Sequence, residues 1–441
     1  MAQDVPIVLM NSISHSIPCK RYSDWVEKKS IVFDFLLVFA LVCLSGNMVF
    51  LADGRDVISL SAFAFIIAFL MFTRSSTINK NFLIVLAAFV VVFAGQTVSF
   101  SFFPPVTIAG FFVKLFIAYG VMCLVSNFPK AYVRVMILVS ILSLLFYIPD
   151  RLSNIVDIDF RHIVLPISEF LNVQTSGVNE RINIGVYNFQ TGDHASRNAA
   201  FFWEPGAFAG YLVLAIIFLS ICRQELSIRV FKFTLFLFVV SLLTTQSTMG
   251  ILVLPFALLL FLNLKSSTFK SAANSLILVL LVATSLVLFS IAASKVDFVG
   301  DKIVRLYSMG VNQEAGWHSS RFGAMIFDAA YIQAHPLTGW GQNLETQFQL
   351  NEDMARFALG NGMTGFVRQM GLLGMGVFIL SVWLGLRRCG QSKGRSLFII
   401  FIILLVLNGE YFLLYPLFMS LMFLAPPKNG RGLPALRRTY A

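Results

Sequence analysis

The sequence is short of charge: 12% of its 441 residues are Asp, Glu, Lys or Arg, about half the share expected of a soluble protein. That scarcity, beside 57% hydrophobic and 14% aromatic residues, excludes an ordinary soluble domain and leaves an all-α polytopic membrane protein. Cysteine is also scarce. Cys19, Cys43, Cys123, Cys222 and Cys389 all fall in apolar runs or in segments read below as cytoplasmic, so the outer loops have no thiol for a disulfide framework or a metal-thiolate site. Walker loops, HExxH, GxSxG and a GxGxxG in a strand-helix setting are missing, as are internal repeats and the paired broken helices of many transporters.

Long apolar runs are what the chain has in abundance. They begin near residues 31, 57, 81, 106, 131, 206, 230, 249, 271, 363 and 396. Each approaches the roughly 20 residues that cross a bilayer. The last run is ambiguous, because residues 396 to 425 form one apolar block interrupted by Asn408, Gly409 and Glu410: eleven spans if it is one helix, twelve if it is a hairpin. Residues 1 to 30 read as a cytoplasmic tail before a retained first span, not as a cleaved leader. With that tail inside, the inner segments hold 21 Lys and Arg against 4 acids, and the outer segments 10 against 17. This asymmetry follows the positive-inside rule. It accounts for the net charge of +11 without nucleic acid and favours twelve spans with both ends inside. The expected organisation is spans one to five over 31–149, a periplasmic loop over 150–205, spans six to nine over 206–293, a second periplasmic loop over 294–362, spans ten to twelve over 363–425, and a cytoplasmic tail over 426–441.

Connections as long as these two loops usually act as lids or binding segments. They hold His162, His194, His318 and His335 with Arg151, Arg161, Arg181, Arg197, Arg305, Arg321 and Arg356. Arginine forks match the oxygens of a pyrophosphate, so the set points to an anionic ligand; solvated loop residues or headgroup contacts are the plain alternative. In RNAAFFWEPG (197–206), Pro205 suits a helix start and Glu204 complements the positive helix end, with Phe201, Phe202 and Trp203 expected in the interfacial aromatic belt. Glu204 is also a candidate general base, or the partner that orients an arginine. Lys114 and Arg368 lie inside spans, where ionisable groups by default suggest function. Asn361, Thr364 or Gly365, Arg368 and Gly371 share one helix face, a polar stripe whose glycines allow close helix contact. Asp34 and Glu410 are read as structural. The Asp157-Ile-Asp159 pair has the spacing of a nucleotide-sugar metal site but lies in an outer loop, where nucleotide sugars are not supplied.

Two stretches are similar to segments of the O-antigen ligase and polymerase superfamily. SSRFGAMIFDAAYIQAHPLTGWG (319–341) resembles its arginine-then-hPl.G.G stretch, and RNAAFFWEPGAFAGYL (197–212) resembles the R…EP…A..L segment of its polymerase branch. Arg181 to Gly192 and Arg305 to Gly316 fit the Arg, ten residues, Gly spacing described for Wzy-type polymerases. The ligase branch carries a His where this chain has Gly360, which favours the polymerase branch over a ligase. The resemblance implies a GT-C-like membrane fold that polymerises glycans on undecaprenyl diphosphate at the outer face of the bacterial inner membrane. It implies lipid-linked donor and acceptor, a separate chain-length-regulating co-polymerase, a flippase, and no nucleic acid. The expected site has Glu204 or His335 as base and Arg181, Arg197, Arg305, Arg321, Arg368, His318 and Asn361 around the pyrophosphate and substrate. No nucleotide is called for, because the leaving group is already activated, and a metal is dispensable if Arg197, Arg305 and Arg321, with Arg181 and Arg368, stabilise the growing negative charge. A transporter or flippase that uses the arginines only for attraction is the reading from another class.

Overall fold

A computed structural model describes residues 19–51, 54–76, 78–156, 160–171, 182–192, 195–261, 321–348 and 361–426. The described residues are helical almost throughout. Helices α1 (Cys19–Gly46), α3 (Arg55–Thr73), α4 (Lys80–Phe100), α5 (Pro105–Leu124) and α6 (Phe128–Val156) take up the first five apolar runs, with a four-residue α2 (Met48–Leu51) between the first two. Then follow α7 (Phe160–Leu171), a two-residue hairpin of β1 (Ile182–Asn183) and β2 (Asn188–Phe189), α8 (Pro205–Ile221), α9 (Ile228–Thr244) and α10 (Thr248–Leu259). After residue 320 come α11 (Arg321–Ala334), α12 (Leu344–Phe348), α13 (Gly362–Arg388), α14 (Lys393–Leu407) and α15 (Pro416–Ser420). The run at 271 lies outside the described residues; the other ten are helical.

Local chemistry sets the helix starts. Asn79, Ser227, Ser247 and Ser392 accept a hydrogen bond from a first-turn backbone N–H of α4, α9, α10 and α14, filling a donor left open at every helix N-terminus. Pro105, Pro205 and Pro416 occupy the first helical position, where a missing N–H costs nothing.

Five helices, α3 to α6 and α13, are long and apolar enough to cross a membrane. Their outer faces carry large exposed apolar side chains such as Phe65, Phe69, Phe72, Val91 and Val98. A continuous apolar surface of this kind suits lipid, not water. At the centre stands α8, buried from Ala207 to Ser220 on all sides among α6, α9, α10 and α14.

The final apolar block is not one helix. It breaks after Leu407 at Asn408-Gly409, runs through a short 3-10 turn (Phe412–Leu414), and resumes as α15 and a further 3-10 turn (Leu421–Phe423). Hydrogen bonds sort the connections into two ends. At one, Asn79 N donates to the Tyr119 hydroxyl (2.8 Å), Ser126 N to Asp34 (3.0 Å), and Arg388 to Asn81 (3.0 Å). At the other, Asn47 bridges to Phe202, Arg55 donates to Leu171 O, and Asn198 N donates to Thr244 O.

Candidate functional site

The polar stripe on α13 is buried, and its partner is Asp328 on α11. Arg368, 1% exposed, donates from one guanidinium nitrogen to Asp328 Oδ1 at 2.8 Å and from another to the Tyr411 hydroxyl at 3.0 Å. The Thr364 hydroxyl donates to the second oxygen of Asp328. Burial pushes the Asp328 carboxyl from 3.8 up to about 6, outweighing the downward pull of Arg368 and of the Thr364 hydrogen bond. Gly365 makes room for this pair: a Cβ there would lie 1.7 Å from the Tyr411 hydroxyl. Asn361 caps α13 through Met363 N and Thr364 N, while its amide donates to Asn408 Oδ1 at 3.2 Å. The start of α13 is thus tied to the 408–415 turn.

Three residues beyond Arg368, α13 is interrupted. Gly371 has φ +67° and ψ −180°, a backbone that only glycine adopts without strain, and it ends one helical stretch and begins another. The backbone groups released there are bound by the HPLTGWG segment. Trp340 N and Gly341 N donate to the carbonyls of Arg368 and Gln369 (2.8 and 2.9 Å), while Leu372 N and Leu373 N donate to Pro336 O and Leu337 O (2.8 and 3.1 Å). Gln96 Nε2 on α4 clasps the joint, donating to Thr338 O (2.6 Å) and Gln369 O (2.8 Å). Contact is so close that a Cβ on Gly371 would lie 2.0 Å from Leu337 O. The Gly371 of the polar stripe serves as a hinge for this loop, where close helix packing was expected.

The 197–206 segment forms a second wall. Asn198 is fully buried, giving hydrogen bonds to Ser143 (3.2 Å) and Thr244 (3.0 Å) and accepting one from Ala200 N. Phe201 and Phe202 are buried too, packed on each other and on Phe208 and Tyr211, so they belong to the core and not to an interfacial belt. Phe202 needs the Gly46 position bare, because a Cβ there would meet its ring at 2.4 Å. Trp203 is half-buried, packing on Tyr415 (5.1 Å) and Phe412 (6.2 Å). Glu204 precedes α8 in extended backbone and is half-buried, with no capping bond from its carboxylate. The Tyr415 phenol stands in the field of Glu410, Asp56 and Glu204.

Of the expected site residues, Arg368 and Asn361 come together at the 408–415 turn, and Trp203, the neighbour of Glu204, packs on Tyr415 of the same turn. Arg197 is half-buried in the loop ahead of α8. His335, at the end of α11, packs its ring on Phe100 (4.8 Å) and Trp340 (4.4 Å). Arg321 opens α11. Arg181, Arg305 and His318 lie outside the described residues, as do His194, Arg356, Gly360 and the Asp157-Ile-Asp159 pair. Two arginines counted toward the anionic-ligand set have a nearer partner: Arg161 grips Asp150 with Nε and Nη2 (2.6 and 3.0 Å) and Arg151 joins it at 3.2 Å. Arg161 also donates to Gln190 O and Ala195 O, so it ties the first loop to the end of α6.

The chain matches no family model and no curated protein. Among the described residues, no group of three or more His, Cys, Asp or Glu side chains is placed to hold a metal ion. Asp328 is the residue that sequence reasoning passed over. Its signal was available: it is a lone carboxylate within the apolar stretch FGAMIFDAAYI, which the cost of burying a charge marks as paired or functional.

Proposed function

We propose that the chain is an integral-membrane glycosyltransferase that polymerises undecaprenyl-diphosphate-linked repeat units into O-antigen or a related surface polysaccharide. The work is done at the periplasmic face of the bacterial inner membrane, by a protein of twelve spans with both termini cytoplasmic. One observation carries the reading. The two stretches that resemble the superfamily, far apart in the chain, converge on the 408–415 turn, one through Trp203 on Tyr415 and the other through Asp328, Arg368 and Tyr411. The split of the final apolar block supports an even number of spans, since Phe423 returns to pack on Phe82 and Tyr119 at the opposite end from Tyr411.

In this reading a hydroxyl of the acceptor unit attacks the anomeric carbon of the donor chain, and undecaprenyl diphosphate leaves with the bonding electron pair. Glu204 takes the hydroxyl proton, with His335 as the second candidate. Arg181, Arg197, Arg305 and Arg321 stabilise charge growing on the diphosphate and His318 completes the substrate contacts, while Asn361 is occupied in capping α13 and bonding Asn408. Arg368 holds its wall in place through Asp328 and Tyr411. The co-polymerase and flippase are partners in the same proposal. A broken helix such as α13 also occurs in transporters, yet here the Arg368 and Gln369 carbonyls accept hydrogen bonds from the 336–341 segment, so the break is bound within the protein.

The test is reconstitution of the purified chain in vesicles with lipid-linked repeat units. Longer lipid-linked chains are expected from the wild type and not from Glu204→Ala, Arg305→Ala or Arg321→Ala protein that inserts normally. Transfer to lipid A core in place of elongation would make it a ligase. No glycosyl transfer of either kind would overturn the enzyme reading.

A further inference from the structure

Helix α7 has three faces where an ordinary surface helix has two. One is bound to protein: Val164 packs with Ile184, Tyr187 and Phe189 in a small core of its own, and Ser168 Oγ accepts from Asn183 N at 3.0 Å. A second is polar and open, with His162 and Glu169. The third is apolar and just as open. Ile163, Ile167 and Phe170, spaced to share one side of a helix, are 63%, 49% and 87% exposed. Facing water, they would form an uncovered apolar patch.

Both ends of α7 are tied to the ends of spans. Arg161, in its first turn, holds Asp150 near the end of α6, and Leu171 O accepts from Arg55 at the start of α3 (3.4 Å). Between those spans stands α1, which packs on both, and just past its end Asn47 Nδ2 donates to Gly185 O of the hairpin (2.8 Å). The 12 residues of α7 cover about 18 Å at 1.5 Å per residue, and two steps between neighbouring helices cover about 16–20 Å. The match lays α7 flat across the three span ends, along the membrane plane. Its apolar face continues a surface already turned to lipid, since Leu145, Ile148 and Leu152 of α6 and Val57 and Ile58 of α3 are exposed near the same two ends.

We infer that α7 is an interfacial helix, with Ile163, Ile167 and Phe170 seated among the acyl chains of the leaflet at this end and His162 and Glu169 turned to the headgroups and water. The inference holds whether or not the chain is a polymerase. The hairpin that α7 carries also holds the 198–204 segment, through Asn188 N to Ala200 O (2.6 Å) and Asn188 Nδ2 to Phe202 O (2.8 Å). The seated helix therefore sets the level of that wall, and of Glu204 within it, against the bilayer.

Photocrosslinking of the full chain in nanodiscs of phosphatidylcholine and phosphatidylglycerol tests this. The photoreactive residue p-benzoylphenylalanine replaces Ile163, Ile167 or Phe170 in turn, and His162 or Glu169 as controls. Lipid adducts, read as the added mass of one phospholipid, should form at the first three positions at least about tenfold more than at the two controls. Equal adducts at all five positions, or none at any, would overturn the inference. So would adducts to a second copy of the chain at the three apolar positions, which would make the face a dimer contact. Ile163→Gln/Phe170→Gln, which leaves the Arg161 and Arg55 ties in place, should lower the lipid adduct at the Ile167 position by about tenfold and raise backbone hydrogen exchange across 198–202. Unchanged exchange there would overturn the level-setting role. If the double variant does not insert, the adduct pattern of the single replacements decides alone.

Discussion

Breaking the Asp328–Arg368 pair from either side should give unequal results. Asp328→Leu strands a guanidinium in a place where the side chain is 1% exposed. Removing one partner of a buried pair in this way costs about 3–5 kcal/mol. Arg368→Met strands a carboxyl instead, and that group has a way out. Burial already lifts Asp328 to about 6, and deleting the arginine that holds it down raises it further, so it takes a proton and the cost falls to about 1–3 kcal/mol for the lost hydrogen bonds. The sign of the pH effect follows from the raised value. Asp328's own titration favours the folded state fully below 3.8, and that contribution is lost as the pH rises through about 6. The Arg368→Met protein should therefore be hurt less at pH 6 than at pH 8, and Asp328→Leu equally at both. Replacing both residues together should return stability to within about 1 kcal/mol of wild type, because no buried charge is left. The assay is pulse-labelling of the buried Cys43 and Cys222 thiols across a series of SDS mole fractions, since these become reactive only on unfolding. If the double variant loses the sum of the two single losses to within about 0.5 kcal/mol, the pair is not coupled and the reasoning fails.

Other expectations can be checked in parallel. Gly371→Ala, with its Cβ 2.0 Å from Leu337 O and φ +67°, should abolish docking of the 336–341 segment and lower thermal stability sharply. Gly376→Ala, in open space on the same helix, should be neutral or stabilising by up to about 1 kcal/mol. Asn198→Ala removes the bonds to Ser143 and Thr244 and should destabilise by about 1–3 kcal/mol, read by the same thiol labelling. A cysteine at exposed Ser101 should label from the periplasm and one at exposed Gly390 from the cytoplasm in intact cells; labelling from the reverse sides, or both from one side, refutes the proposed topology.

Periodicity and length were enough to locate the helices, because a span must satisfy its own backbone in lipid and so announces itself as an uninterrupted apolar run. The start of α8 was equally legible: Glu204 and Pro205 are a helix beginning whatever surrounds them. The polar stripe on α13 was visible as spacing, yet its partner was not, since nothing local in α11 says which helix Asp328 will face. Phe201 and Phe202 misled for a related reason. Aromatics beside a span usually mark the interface, but here Met48 and Asn198 hold the segment in the core, and the bonds responsible join residues up to 153 positions apart, from Met48 N to Phe201 O. Gly371 shows the same limit, being one glycine among several until the loop that binds its neighbours is in place.

The interruption in α13 also has a consequence for how the protein is made. A helix that breaks about 13 Å from its start, at 1.5 Å per residue, would enter a bilayer with unmet amide groups at several kcal/mol each. Those groups are met by residues 336–341, which precede α13 in the chain and so leave the ribosome before it. The order of synthesis thus delivers the clasp ahead of the span that needs it. Moving that segment behind α13 by circular permutation would keep every native contact and still be expected to lower the yield of inserted protein.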